Sequence, residues 1–148
     1  AGAMLYEQPS TPLFRHRINA FIERFQMLGG KARSYPFHSN PEAHAAAQSL
    51  VAEKQRPTCV FTGDDGALTK FDLIFRHLGL EPGKDIEMIG CNNEAHRLDE
   101  LSPRPATIDL QLEILADQAL ELLAWRQQNR SPHRMQIIVE PRLVPPRG

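Results

Sequence analysis

Two short polar clusters carry the residue types in this chain that could do chemistry. Phe61-Thr62-Gly63-Asp64-Asp65 sets two carboxylates behind an apolar run, and Ile89-Gly90-Cys91-Asn92-Asn93 sets two carboxamides behind another. Gly63 and Gly90 let the backbone turn sharply, so the side chains that follow can converge on one crevice. Two acids after a strand also fit a metal- or phosphate-handling enzyme built on Asp64 and Asp65. That chemistry needs a third acid or a Lys at another strand end, where this sequence offers amides and the run Glu140-Pro141-Arg142. Simpler roles compete. Asp is a good helix N-cap and suits the positive end of the helix dipole. Capping fits Asp65 better than Asp64, whose side chain is expected to point into the crevice. Asn92-Asn93 is also an ordinary turn pair, and a lone Arg17 on an amphipathic helix is ordinarily a solvated surface residue. The six histidines lack metal-ligand spacing, so the sequence implies no metal and no cofactor.

The elements that must position these clusters alternate along the chain. Apolar residues at 14, 18, 21, 22, 25 and 28 recur at helical spacing behind Thr11-Pro12, an N-cap with Pro in the first turn. A second helix spans about 41–53, with Ser39 and Glu42 as a capping box or Asn40 as an equally good cap. The third follows Asp65 and presents Leu68, Phe71, Ile74 and Phe75. The longest runs over about 110–126, with Leu112, Leu115, Ala116, Ala119, Leu122 and Leu123 on one face. Strands are expected at 32–35, 58–62, 86–89 and 136–140. Strands separated by helices argue an α/β fold, a doubly wound and mostly parallel sheet with helices on both faces. Ligands of such sheets bind beyond the carboxyl ends of the strands, where both polar clusters fall.

Composition narrows the function. At 148 residues, 41% hydrophobic and 24% charged, the chain is one ordinary domain, which excludes whole-chain disorder. A net charge of −1 with no basic run gives no bulk attraction to nucleic acid or anionic lipid. No apolar stretch is long enough to span a membrane. Cys59 and Cys91 read as reduced thiols of a cytosolic protein. Residues 1–4 are expected to be an expression scar, 5–148 the domain, and the Pro-rich end from Pro141 a tail.

Six motifs in one order carry a family resemblance. They are Arg17 with Ala20-Phe21; Arg56-Pro57-Thr58; Gly63-Asp64-Asp65 with a helix closing on Leu78-Gly79-Leu80; Asp85-Ile86 through Asn93; Ser102-Pro103 with Thr107-Ile108; and Glu140-Pro141-Arg142-Leu143-Val144. Together they resemble the effector-binding domain of LacI/GalR-type bacterial transcription regulators, over nearly the whole chain after Met4. The resemblance implies one lobe of a periplasmic-binding-protein-like fold, with five strands in the order 2-1-3-4-5 and residues 4–6 as the first. It implies that the helix-turn-helix headpiece, the hinge helix and most of the N-terminal lobe lie outside this chain, and that helix 110–126 belongs with that lobe. No catalysis, a cytoplasmic location, a homodimer and DNA contact only through the headpiece follow from it.

Carried over by motif, Arg17, Asp64 and Asn92 contact the effector, with Phe37 or His38 as an aromatic wall. An Arg fork beside carboxylate and carboxamide groups suits the vicinal hydroxyls of a sugar-like molecule. The family usually has Asn at the position of Asp64 and Asp at that of Asn92, so one carboxylate stays near Arg17 but crosses the site. Leu110 stands where a polar ligand contact is common. A dimerisation module with a degenerate pocket is the remaining alternative.

Overall fold

Side-chain alternation fixes which way each strand faces. In β1 (Gly2–Glu7) Ala3 and Leu5 point to one face of the sheet, while Met4 and Tyr6 point to the other. The same alternation sends Val60 and Phe61 of β3 (Cys59–Thr62) to opposite faces, and likewise Met88 and Ile89 of β4 (Glu87–Cys91). With β2 (Ala32–Phe37), β5 (Ala106–Asp109) and β6 (Arg142–Val144) they form a six-stranded sheet in the order β2-β1-β3-β4-β5-β6. All pairings are parallel except β5 with β6, which pairs Thr107 with Val144 and Asp109 with Arg142. The computed structural model describes residues 1–8, 12–129 and 133–147, without the side chain of residue 13.

The helices divide unequally between the faces. Helices α2 (Asn40–Val51), α3 (Asp65–His77) and the single turn α4 (Ala95–Leu98) bury Ala47, Leu50, Leu68, Phe71, Phe75 and Leu98 against Ala3, Leu5, Val60 and Met88. On the other face α1 (Pro12–Met27) packs, the one helix there among the described residues, with Ile18, Phe21 and Ile22 against Met4 and Phe61. Ser39 is the N-cap of α2, accepting from the Glu42 amide, while the Glu42 carboxylate accepts from the His38 amide at 2.9 Å. The cap expected at Thr11 lies outside the described residues. Gly79 closes α3 with φ +79, a conformation that favours glycine.

Several sequence expectations are corrected. Residues 2–4 extend the expected first strand: they belong to central strand β1, and Ala3 and Met4 are fully buried. Residues 136–140 form no strand and are largely exposed; the fifth strand is β5, whose Ala106-Thr107-Ile108 follows Pro105 too closely to show a long apolar run. The expected tail instead supplies the antiparallel edge strand β6, and Arg147 bridges back to Arg104. The first four strands keep the expected order, β5 takes the place expected of 136–140, and 110–126 is matched by helix α5 (Leu112–Gln128).

Candidate functional site

The two polar clusters end adjacent strands β3 and β4, and buried Asp65 ties them together. At the first position of α3 it is fully buried, and both its oxygens are engaged. Oδ1 accepts from the Thr107 hydroxyl of β5 and Oδ2 from the Glu94 amide, each at 2.8 Å. The Thr107 hydroxyl oxygen in turn accepts from the Asn93 amide at 3.3 Å. Gly90 makes room for this arrangement, since a Cβ there would stand 2.1 Å from Asp65 Oδ1. The loop after β4 is thereby held in an unusual shape, with Asn92 and Asn93 at φ 107 and 57, backbone strain of the kind that persists where the surroundings fix it. Asn92 donates from its backbone to Ile108 O at 2.8 Å and from its side chain to Glu94 at 3.2 Å. That amide, with Arg97, holds the Glu94 carboxyl below its usual range.

The two aspartates exchange the roles expected of them. Asp64 is the N-cap, its Oδ1 accepting from the Ala67 amide at 2.7 Å, and its Oδ2 has no hydrogen-bond partner among the described residues. Asp65 is the internal tie. With both Asp65 oxygens occupied, the acidic pair does not form a cation cage, and the described residues hold no group of three or more potential metal ligands.

Burial pushes the Asp65 carboxyl above its ordinary 3.8, outweighing the hydrogen bonds that pull it down. A carboxyl raised on folding favours the folded state when protonated. Its contribution is therefore complete below the unfolded value and is lost as pH rises through the higher folded one. The stability of the native chain minus that of Asp65→Asn is expected to decline as pH rises from about 3.8. Urea titrations of both proteins across pH check this; a flat or rising difference refutes it.

Arg17 sits beside the first cluster. Its Nη1 donates to Gly63 O at 3.0 Å, and its guanidinium lies 5.3 Å from the Phe14 ring centroid. Arg17 and Asp64 thus flank Gly63 at the end of β3, and Asn92 stands one strand over at the end of β4. They border different hollows. Arg17 lines an apolar groove of about 540 Å³ with Phe21, Phe61, Cys91 and Leu110, where burial raises the Cys91 thiol pKa. Asn92 lines a polar cavity of about 390 Å³ with Asn93, Asp109, Gln111 and Arg142. Asp64 lines neither of these two. Phe37 is not available as an aromatic wall: it is 1% exposed, edge-on to Phe71 at 5.3 Å beneath α3. His38 is exposed.

The role of Asp65 as an internal tie, the role of Thr107 as its partner, and the gathering of Asn93, Asp109, Gln111 and Arg142 around one cavity escape sequence reasoning. Their sequence signal is faint: a second acid after Asp64, a second amide after Asn92, and one hydroxyl in a short strand.

An open, mostly parallel sheet with its polar groups gathered beyond the carboxyl ends is the architecture of an α/β ligand-binding lobe. A family model described as "Periplasmic binding protein-like domain" matches residues 2–147, and the chain belongs to that family, in the branch of LacI/GalR-type effector-binding domains. The HTH-type transcriptional repressor PurR of Photorhabdus laumondii subsp. laumondii is 36% identical over 109 residues, covering 70% of this chain and 30% of the repressor. A regulatory protein of the LacI family from Chloroflexus aggregans superposes with a TM-score of 0.83 at 20% identity, over 96% of this chain and 52% of that one. A LacI family transcriptional regulator from Enterococcus faecium with bound ribose gives 0.81 at 17% identity, over 98% and 54%. The chain thus spans under a third of the curated relative and about half of each of these solved proteins.

Proposed function

We propose that this chain is the effector-sensing and dimerisation module of a cytoplasmic DNA-binding transcription regulator, without catalytic activity, and that its effector is a small sugar-like molecule. In this reading residues 5–148 form the C-terminal lobe together with the residues of β1 before them. Helix 110–126 docks on an N-terminal lobe, and DNA is contacted through a headpiece outside this chain. The observation that carries it is the pinned strand-end site: Arg17 and the unengaged Asp64 Oδ2 at β3, beside Asn92 on a loop that buried Asp65 holds in place. His38 remains the exposed aromatic candidate. The ribose bound to the E. faecium regulator supports a hydroxyl-rich ligand. With Asp64 and Asn92 interchanged relative to the family pattern, the preferred hydroxyl arrangement differs from the common one.

Thermal denaturation of the intact regulator against sugars, sugar phosphates and nucleosides tests the reading. A sugar at a hundred times its Kd should add about 2.7 kcal/mol of stability, while magnesium should add none. No response to any sugar, or a magnesium response lost in Asp64→Asn, overturns it, the second in favour of a metal-dependent enzyme.

A further inference from the structure

The Asn93 side chain lies between two opposite charges. Its Oδ1 accepts from Nη2 of Arg104 at 3.1 Å, and its Nδ2 donates to Oδ2 of Asp109 at 3.3 Å. A carboxamide has one accepting end and one donating end. Turned over, it would set its amino group against the guanidinium and its oxygen against the carboxylate, two repulsions in place of two bonds. Arg104 and Asp109 therefore leave the group one orientation. Asp109 is itself held, its Oδ1 accepting from the Gln111 amide at 2.7 Å. Arg104 lies two residues before β5 and is 9% exposed, with Nε donating at 2.8 Å to Oδ1 of Asp99, the C-cap of α4. An arginine is seldom so buried. A buried cation often adds no net stability over an apolar side chain of similar size, and its attested use is to select one arrangement. The arrangement in question is the loop after β4, where Asn92 and Asn93 both hold positive φ. Asp65 and Thr107 fix that loop by its backbone, through the Glu94 and Asn93 amides. Arg104 and Asp109 fix it separately, by a side chain.

We propose that Arg104 is a positioning residue of the strand-end site: by fixing the Asn93 carboxamide it sets the pose of the neighbouring Asn92 at the polar cavity that both asparagines line. Arg104 lies outside the residues lining that cavity, so it acts through Asn93. Asp109 is the second half of the device, reading the donating end of the same group. The inference rests on the strand-end site of the proposed function and is independent of which sugar fills it.

Amide hydrogen exchange of the 148-residue chain, followed by NMR without any ligand, tests it. Arg104→Met removes the charge and keeps a long side chain. It should speed exchange of the Asn93 and Glu94 amides at least tenfold more than that of the amides in central strands β1 and β3. The Asn93 side-chain amide signals, sharp and single in the native chain, should broaden or double. Unchanged loop exchange overturns the proposal. Equal acceleration in loop and strands overturns it too, since Arg104 would then support the whole fold. Reversing the polarity gives a second reading should that variant fail to fold. Asn93→Asp sets two carboxylates together and should speed loop exchange at least tenfold. Adding Asp109→Asn, which puts a donor opposite the new acceptor, should return it to within about threefold of native. A double variant as loose as Asn93→Asp alone overturns the proposal. Because every readout is taken on the free chain, a failed sugar screen would count against the proposed effector and leave these results to decide the role of Arg104.

Discussion

Replacing Asp65 with Ala should remove roughly 3–6 kcal/mol of folding stability at neutral pH, from two hydrogen bonds to a charged acceptor at about 1.5–3 kcal/mol each. The Thr107 hydroxyl has rotational freedom to find another acceptor. The Glu94 amide is fixed by the loop and would be left without one. Against a typical domain stability of about 5–15 kcal/mol the loss is severe. It should appear as a lower urea midpoint at unchanged slope. Asp65→Asn keeps one acceptor oxygen and should lose less. A cost under about 1 kcal/mol for Asp65→Ala would mean that the tie is not what holds β3, β4 and β5 together at their polar ends.

Arg17→Ala should weaken effector binding by about ten- to a hundredfold in the intact regulator, the worth of one charged hydrogen bond at roughly 1.5–3 kcal/mol. Stability should change little, because among the described residues the guanidinium of Arg17 donates to a partly buried carbonyl, Gly63 O, and otherwise lies over the Phe14 ring. Calorimetric titration with whichever sugar stabilises the protein provides the measurement. Unchanged affinity would return Arg17 to the surface role that its helix alone suggests.

The strands and helices legible in the sequence are those whose own side chains define them. Val60 and Phe61, or Leu68 with Phe71 and Phe75, announce their element because burial demands a period. The elements that escaped are set by partners. β5 is four residues behind a proline, and β6 is three residues in a stretch rich in proline, with Arg142 and Leu143 exposed. Both exist because a neighbour offers its open edge. The site divides likewise. Residue type puts Asp64 and Asn92 just after β3 and β4, but which aspartate caps and which ties follows from Thr107 and Glu94, 42 and 29 residues away in sequence. Phe37 was misjudged because a terminal aromatic looks alike whether it faces a crevice or, as here, the core under α3.

The antiparallel pair at the sheet edge makes residues 110–141 a detour that leaves and rejoins the sheet at one corner. The chain leaves at Asp109 and returns opposite it at Arg142, so the two ends of the excursion are cross-strand neighbours. A further tie, from the Gln111 side-chain Nε2 to Glu140 O, closes the neck. Pulling on α5 therefore loads that one corner of the domain and leaves the order of the inner strands untouched. The helix is a flag on a short pole: it can be recruited by another surface while the strand ends that carry Arg17, Asp64 and Asn92 keep their places.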